Sequence, residues 1–149
     1  MIHFRLGWSR GPLGRKVYKN AACHELFSEY LQRISHFTSC AASGIDLTKR
    51  SEKRSKIFFC HSSKDSKMMS SEALARDLEK WRLDSARDLE IMIGPADGFS
   101  KEHLALWKPD LLWSFGPMTL PHELASVVAA EQIYRAFTIL QNLPYHSAH

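Results

Sequence analysis

The chain has 149 residues, 44% of them hydrophobic and 24% charged, which predicts one globular domain over residues 1–149. Its formal net charge of +4 is compatible with a polyanionic partner but does not require one. Because no apolar run has the length of a membrane helix and the first residues lack a secretory signal, we expect a cytoplasmic protein that binds no membrane.

The first third of the chain predicts one strand, one helix and a basic segment. Residues 2–6 alternate apolar and polar side chains, as a half-buried strand does. Between Val17 and Phe37 apolar residues recur every three or four positions, which is typical of a helix with one buried face. Residues 43–56 carry five Lys or Arg from Lys49 onward. This segment either contacts phosphates or is a solvated linker, and composition alone favours the linker.

The rest of the chain predicts three further pairs of a strand and a helix. Each strand is a short apolar run, and each helix begins close to a residue that favours a helix start. The predicted strands are residues 56–60, 89–93 and 110–115, and the predicted helices begin at Ser70 or Ser71, at Ser100 and near Leu120. Pro109 ends the second of these helices after Trp107, and the third runs to Leu140.

This alternation of strands and helices predicts an α/β fold with a parallel sheet, because parallel neighbours need long crossover connections. Ligands of such open sheets bind beyond the carboxyl ends of the strands. Three loops follow those ends, at residues 61–69, 94–100 and 116–121, and each is rich in Gly, Pro or Ser. We therefore expect the functional site in these loops.

Sequence motifs exclude several common classes of enzyme and of metal protein. The chain has no GxGxxG, phosphate-loop or HExxH spacing. Cys23, Cys40 and Cys60 have no CxxC spacing, so we expect reduced, buried thiols rather than disulfides or a zinc ribbon. His24 and His122 lack a second histidine four residues on, and no metal is expected.

The stretch GPMTLPHELA, residues 116–125, interrupts the backbone where the last predicted helix begins. Gly116 and Pro117 end the strand geometry, and Pro121 suits a first helical turn. Thr119 is the predicted cap, and His122 either contacts a ligand or covers the helix start. A turn of this kind exposes main-chain groups to a ligand. Asp97 and Glu102, in contrast, are explained by a turn and a helix start.

Several stretches together resemble one known family. "MTLPHELASVVAAEQIYRAFTILQNLPYH", residues 118–146, is similar to the C-terminal signature of the methyltransferase H family of large-subunit ribosomal RNA enzymes (RlmH), of the SPOUT class. "IMIGPADGFS" resembles that family's Ile-Gly-Gly-Ala-Asp-Gly-Phe stretch. "KMMSSEALARDLEKW" and "EYLQRISHFTSC" resemble two of its earlier helices. The resemblance covers nearly the whole chain and is strongest after Lys67.

This resemblance implies a SPOUT-type fold, mostly parallel with helices on both faces and a C-terminal trefoil knot. It further implies a homodimer that uses S-adenosyl-L-methionine to methylate N3 of a pseudouridine in ribosomal RNA. By position, it places the cofactor at Ser62 or Ser63, Gly94, Pro95, Gly116, Pro117, Met118, Thr119, Leu120 and Pro121. Arg135, Tyr145 and His146 match family positions expected near the RNA or the transferred methyl.

The chain also departs from the family pattern. Ser62–Ser66 replaces Leu-Asp-Glu-Arg-Gly, Pro95 replaces the second glycine of a pair, and Gly116-Pro117 replaces Ser-Lys. Ser126 and Ser147 stand where basic residues are common, and the segment 43–56 is shortened. These departures keep open a catalytically impaired RNA-binding homodimer of the same fold. A flavodoxin-like binder of small ligands is a third reading and predicts a monomer without a knot.

Overall fold

The computed structural model describes residues 1–52, 54–84 and 87–147. Within these residues, strands and helices alternate along most of the chain, with a short 3-10 helix at Arg15–Val17. In chain order they are β1 Ile2–Leu6, α1 Ala21–Ile34, β2 Cys40–Gly44, β3 Lys56–Cys60, β4 Lys67–Met68, α2 Ser71–Leu83, β5 Leu89–Ile93, α3 Lys101–Trp107, β6 Leu111–Ser114, α4 His122–Leu140 and α5 Pro144–Ser147.

All six strands join one sheet in the order β2-β1-β5-β3-β6-β4. Every pairing between these strands is parallel. The carboxyl ends of β3, β5 and β6 therefore lie at the same edge of the sheet, with Cys60 opposite both Ile93 and Trp113. The structure confirms the predicted α/β class with a parallel sheet.

Helices cover both faces of the sheet. Successive side chains of a strand point to opposite faces, so Phe58 joins the larger core while Ile57 and Phe59 join the smaller one. Helices α1, α2 and α4 bury their apolar faces in the larger core. Trp107 of α3 and Leu47 cover the other face, and the Trp107 indole donates a 2.9 Å hydrogen bond to the Leu47 carbonyl.

Two strands, the short helix α5 and the 3-10 helix Arg15–Val17 were not predicted from the sequence. β2 consists mainly of small residues, and β4 is a two-residue edge strand, so neither carries a local strand signal. Both exist because they pair with a neighbour, β1 and β6 respectively. Helix α5 follows an exposed Leu143 and has no buried residue.

The helix boundaries differ from the predictions at the start of α4 and at both ends of α1, which ends at Ile34 and not at Phe37. Helix α1 begins at Ala21, not Val17, because the Asn20 side chain accepts hydrogen bonds from the amides of Ala22 and Cys23. Helix α4 begins at His122 with Pro121 as its N-cap, and no side chain caps it. The prediction of Thr119 as the cap is therefore wrong: Pro121 already fixes the chain direction, and its carbonyl accepts the Ala125 amide. The caps Ser70 and Ser100 are confirmed.

The three cysteines are free, but they are half-buried and not fully buried as predicted. Burial raises the pKa of the Cys40 thiol to about 12 and also raises that of Cys60. No helix among the described residues is both long and apolar enough to cross a membrane.

A buried hydrogen bond joins the segment before α1 to helix α4. Ser126 is fully buried and donates to the Glu123 carbonyl at 2.6 Å, so the Tyr18 hydroxyl donates to Ser126 Oγ at 2.7 Å. Burial raises the pKa of Tyr18, and the phenol stays protonated. The serine that stands at the family's usual arginine position is therefore a packing residue in this chain.

Replacing Tyr18 with phenylalanine is expected to lower the free energy of unfolding by about 1 kcal/mol, because one net buried hydrogen bond is lost. Urea denaturation of the purified chain measures this change. Tyr134→Phe is the matched control, since the Tyr134 hydroxyl has no hydrogen bond within the described residues, and it should change stability by less than about 0.5 kcal/mol. Equal losses in both variants would contradict the assigned hydrogen bond.

Candidate functional site

A cavity of about 350 Å³ lies beyond the carboxyl ends of β3, β5 and β6. All three loops predicted from the sequence contribute to it, together with the start of α4. Its walls are formed by Cys60, His61, Ser62, Ile93, Gly94, Pro95, Ala96, Asp97, Gly98, Phe99, Trp113, Phe115, Met118, Thr119, Leu120, His122 and Ala125. The cavity therefore lies at the edge of the sheet where the sequence predicted the functional site.

The loops around the cavity are shaped by glycines and by one serine. Gly116 has a φ of 116°, which only glycine adopts readily. The Ser114 hydroxyl holds that turn from both sides, since it donates to the Gly116 carbonyl at 3.0 Å and accepts from its amide at 3.1 Å. Gly98, at φ 80°, closes the second loop by donating its amide to the Pro95 carbonyl at 2.8 Å.

Aromatic side chains form an apolar wall of the cavity. Phe99 stacks on Phe59 with ring centroids 4.1 Å apart, and Trp113 contacts Phe115 edge to face at 4.9 Å. Burial lowers the pKa of His61, so its ring is neutral near pH 7. Among the described lining residues, Asp97 has the only carboxylate, and it is exposed at the rim. The cavity thus combines an apolar wall, main-chain groups and one negative charge.

His122 lies between the cavity and the N-terminal part of the chain. Its ring packs edge to face against Trp8 at a centroid distance of 4.6 Å. Its Nε2 atom lies 3.8 Å from the Glu123 carboxylate, which itself accepts the Asn20 amide at 2.9 Å. His122 therefore covers the helix start and also lines the cavity, and its contact with a ligand stays a prediction.

A second polar cluster joins the C-terminal half of α4 to α5. Arg135 donates from Nε and Nη2 to Glu131 Oε1 at 3.0 and 2.7 Å, and the Tyr145 hydroxyl donates to the same oxygen at 2.9 Å. The Arg135 guanidinium also lies 4.9 Å from the Tyr145 ring centroid. Burial is the largest of the effects that raise the pKa of Tyr145, so its hydroxyl stays protonated.

His146 is held in this cluster from both ring nitrogens. Its Nδ1 lies 3.2 Å from Arg135 Nη1, which can only donate, so Nδ1 accepts. Nε2 then donates to Glu72 Oε1 at 2.9 Å. A hydrogen bond from its own backbone amide, followed by the one from His146, lowers the pKa of Glu72. The ring is thereby fixed in one orientation and one tautomer.

The cluster and the cavity are separate within one chain. Ala125 lines the cavity, and Arg135 lies ten residues further along α4. At 1.5 Å per residue this is a separation of about 15 Å along the helix, more than an arginine side chain spans. The Arg135 side chain therefore does not itself reach the wall of the cavity at Ala125.

A family model described as "Predicted SPOUT methyltransferase" matches residues 14–146. The chain belongs to the SPOUT methyltransferase family. It is 38% identical over 140 residues to ribosomal RNA large subunit methyltransferase H of Stenotrophomonas maltophilia, with 82% of this chain and 88% of that protein covered.

This SPOUT family member is also similar to a second curated relative and to a solved structure, each over part of its length. It is 44% identical over 82 residues to the protein of the same name from Pseudomonas aeruginosa, covering 55% of this chain and 51% of that one, so this match spans about half of the relative. A methyltransferase structure from Legionella pneumophila, solved with bound SAM, shares 16% identity at a TM-score of 0.45, over 91% of this chain and 66% of that one.

The structure brings together most, but not all, of the cofactor residues that the family resemblance implied for this SPOUT protein. Six of them line the cavity: Ser62, Gly94, Pro95, Met118, Thr119 and Leu120. Gly116, Pro117 and Pro121 do not line it and instead shape the loop that carries Met118 and Thr119. Ser63 bonds within its own loop, where its amide donates to Ser66 Oγ at 3.1 Å.

Several residues of both groups were missed by the sequence analysis. The aromatic wall of Phe99, Trp113 and Phe115 was read only as strand and loop. Glu131 and Glu72 hold Arg135 and His146 but carry no motif of their own. A contact between positions 74 apart, such as Glu72 and His146, leaves no local periodicity to detect. Within the described residues, no group of three or more His, Cys, Asp or Glu could hold a metal ion.

Proposed function

We propose that this chain is an S-adenosyl-L-methionine-dependent methyltransferase of large-subunit ribosomal RNA, with N3 of a pseudouridine as the methylated atom. The observation that carries the proposal is the cavity at the carboxyl ends of three parallel strands in a SPOUT family chain. The relatives' name supplies the substrate class. We further propose that the protein works in the cytoplasm, where its RNA substrate is assembled.

The cavity fits S-adenosyl-L-methionine in size and in chemistry. Its volume of about 350 Å³ lies in the range of sites for ligands of this size. Phe99, Phe115 and Leu120 offer apolar surface to an adenine ring, and the turns at Gly94 and Thr119 bring main-chain groups to its edge. The Asp97 carboxylate at the rim suits a ligand that carries an ammonium and a sulfonium.

The cofactor, when bound, supplies an electrophilic methyl group on sulfur. A nitrogen that attacks it must approach in line, so the protein's contribution is mainly positioning. The forked donors of Arg135 suit a phosphate or a carboxylate, and Tyr145 can stack on a base. Both His146 nitrogens are engaged, and this favours an orienting role over that of a general base. The leaving N3 proton can pass to solvent.

A homodimer would unite the two groups that one chain keeps apart. The separation of about 15 Å along α4 supports a site in which Arg135, Tyr145 and His146 come from a second copy. Three exposed apolar residues offer a surface for that copy: Met118, which lines the cavity, Met68 and Leu124. We also propose that the chain segment leading into α4 forms the trefoil knot implied by the family resemblance.

Two measurements on the full chain test the function. Calorimetric titration with S-adenosyl-L-methionine should give micromolar affinity. In a transfer assay, tritium from the labelled methyl group of the cofactor should enter ribosomal RNA. Mass spectrometry of that RNA should then locate the methyl group on a pseudouridine. S-Adenosyl-homocysteine in place of the cofactor is the negative control for transfer.

A second candidate, an RNA-binding homodimer without catalysis, is favoured by one feature of the cavity. Pro95 has no amide hydrogen to offer a cofactor, although it lies in the wall. RNA binding without any cofactor binding would support this candidate and exclude the enzyme. Binding of neither ligand, by a monomer, would support the small-ligand binder.

A further inference from the structure

A second cleft of about 400 Å³ includes part of the basic segment that the proposed function leaves unused. It is lined by Arg50, Ser51, Glu52, Arg54, Ser55, Arg87, Lys108 and Asp110. Ser55 directly precedes β3, and Asp110 directly precedes β6. The cleft therefore lies at the amino ends of the strands, opposite the cavity, and a five-residue strand separates the two by about 16 Å.

The cleft has an excess of positive charge that its own carboxylates do not neutralise. Among the described residues of its lining, four side chains are cationic and two are anionic. Asp110 is engaged elsewhere, since its carboxylate accepts the Ile57 amide at 2.8 Å. Among the residues that the structure describes, the side chains of Arg54 and Lys108 make no hydrogen bond or ion pair. These two cations are therefore available to a ligand.

The remaining arginines of the cleft are only weakly engaged. Arg50 Nη1 donates to the Leu106 carbonyl at 3.3 Å, which leaves the rest of its guanidinium uncommitted. Arg87 Nη2 lies 3.9 Å from the Asp84 carboxylate, and both side chains are largely in solvent. Contacts of this length between solvated groups are readily exchanged for a ligand.

Ser55 is an independent indication of a ligand. Its side chain is 7% exposed, and Oγ is buried with no hydrogen-bond partner among the described residues. Buried polar groups in proteins are nearly always paired, so an unpaired hydroxyl in the wall of a cleft needs an explanation. A hydroxyl beside several cations is a donor set that suits an oxyanion.

Lys108 is a third indication, because it occupies an unfavourable backbone position. It ends α3 with φ 46° and ψ 62°, the left-handed conformation that glycine or asparagine usually supplies after a helix. A lysine at this position costs stability relative to glycine. Binding of the Lys108 ammonium group to an anion in the cleft would offset this cost.

We propose that this cleft binds phosphodiester groups of the RNA substrate; the proposal rests on the proposed function. The described residues of its lining include no aromatic side chain on which a base could stack, so this lining is suited to phosphates. An RNA that fills both sites would extend about 16 Å along the strands, from the cavity to the cleft. The segment 49–56 is then a phosphate-binding segment and not a solvated linker.

The test compares RNA binding by two doubly substituted full-length chains of equal charge. The first carries Arg54→Gln and Lys108→Gln; the matched control carries Arg76→Gln and Lys80→Gln, on the exposed side of α2. Fluorescence anisotropy with a labelled stem-loop of large-subunit ribosomal RNA should show at least about 10-fold weaker binding for the first variant. The slope of log K against log salt should fall by about 1 to 2. The control should bind nearly as the wild type does.

A further variant separates loss of binding from loss of folding. Lys108→Gly relieves the left-handed strain, so it should raise the melting temperature while it weakens RNA binding. Cofactor affinity, measured by calorimetry, should stay within about twofold of wild type in all variants.

Four results would overturn the proposal. Equal weakening by the two double variants would mean that only net charge matters. Unchanged RNA affinity with continued methylation would refute the cleft and leave the function standing. No RNA binding by the wild type would refute both. Chemical-shift changes at Ser55 with inorganic phosphate, but no effect of the variants on RNA, would make the cleft a free-phosphate site.

Discussion

Replacing Ala125 with tryptophan is expected to lower the affinity for S-adenosyl-L-methionine by at least about 100-fold, or about 2.7 kcal/mol. Ala125 lies in the first turn of α4 and lines the cavity, so an indole ring at this position occupies the space that the ligand needs. The half-buried position leaves room at the surface, and the helix itself should form normally. Calorimetric titration measures the loss, and circular dichroism checks the fold.

Ala105→Trp is the matched control for this substitution. Ala105 is an exposed residue of α3 that does not line the cavity, so the same change of side chain should leave cofactor affinity within about twofold of wild type. If Ala125→Trp bound the cofactor as tightly as this control does, the cofactor site would have to lie elsewhere.

Mixing two inactive variants is expected to restore methyl transfer. Ala125→Trp blocks the cavity, and Arg135→Ala removes a cation of the distant cluster, so each homodimer should have less than about 1% of wild-type activity. A heterodimer of the two has one site with an open cavity from one chain and an intact cluster from the other. It should regain about half of the wild-type activity per dimer.

Differently tagged chains, co-expressed and purified through both tags, provide the heterodimer for this assay. Each doubly tagged homodimer is the control, and sedimentation confirms that all three assemblies are dimers. An inactive heterodimer that still binds cofactor in its open cavity would show that each site uses the cluster of its own chain. That outcome is difficult to reconcile with the separation of about 15 Å along α4, and it would require α4 or α5 to rearrange.

Much of the fold was predictable because its elements carry local signals. The alternation in Ile2–Leu6, the apolar runs at Lys56–Cys60 and Leu89–Ile93, and the caps Ser70 and Ser100 all report on neighbouring residues only. Their order predicted a parallel sheet and hence the edge at which the cavity lies. Strands β2 and β4 escaped prediction because each is stabilised by the strand beside it, which no local pattern records.

The part of the candidate site that is formed by glycine-containing loops could be predicted from the sequence. The turn at Gly116 could be recognised because few residue types adopt its φ of 116°. The contributions of Phe99 and Ser114 could not be recognised in this way. An aromatic residue in a loop or a serine at a strand end has many uses, and only the packing of the loops against each other selects one of them.

The sequence by itself determined the class of fold, the three loops at one edge of the sheet and the family resemblance, because periodicity and turn chemistry act between close neighbours. Tertiary structure decided which residues meet across the chain: Glu72 with His146, Tyr18 with Ser126, and Arg54 with Lys108 in one cleft. It also separated the cavity from Arg135 by a fixed length of helix. These relations depend on how helices pack on the sheet, and distance along the chain does not encode them.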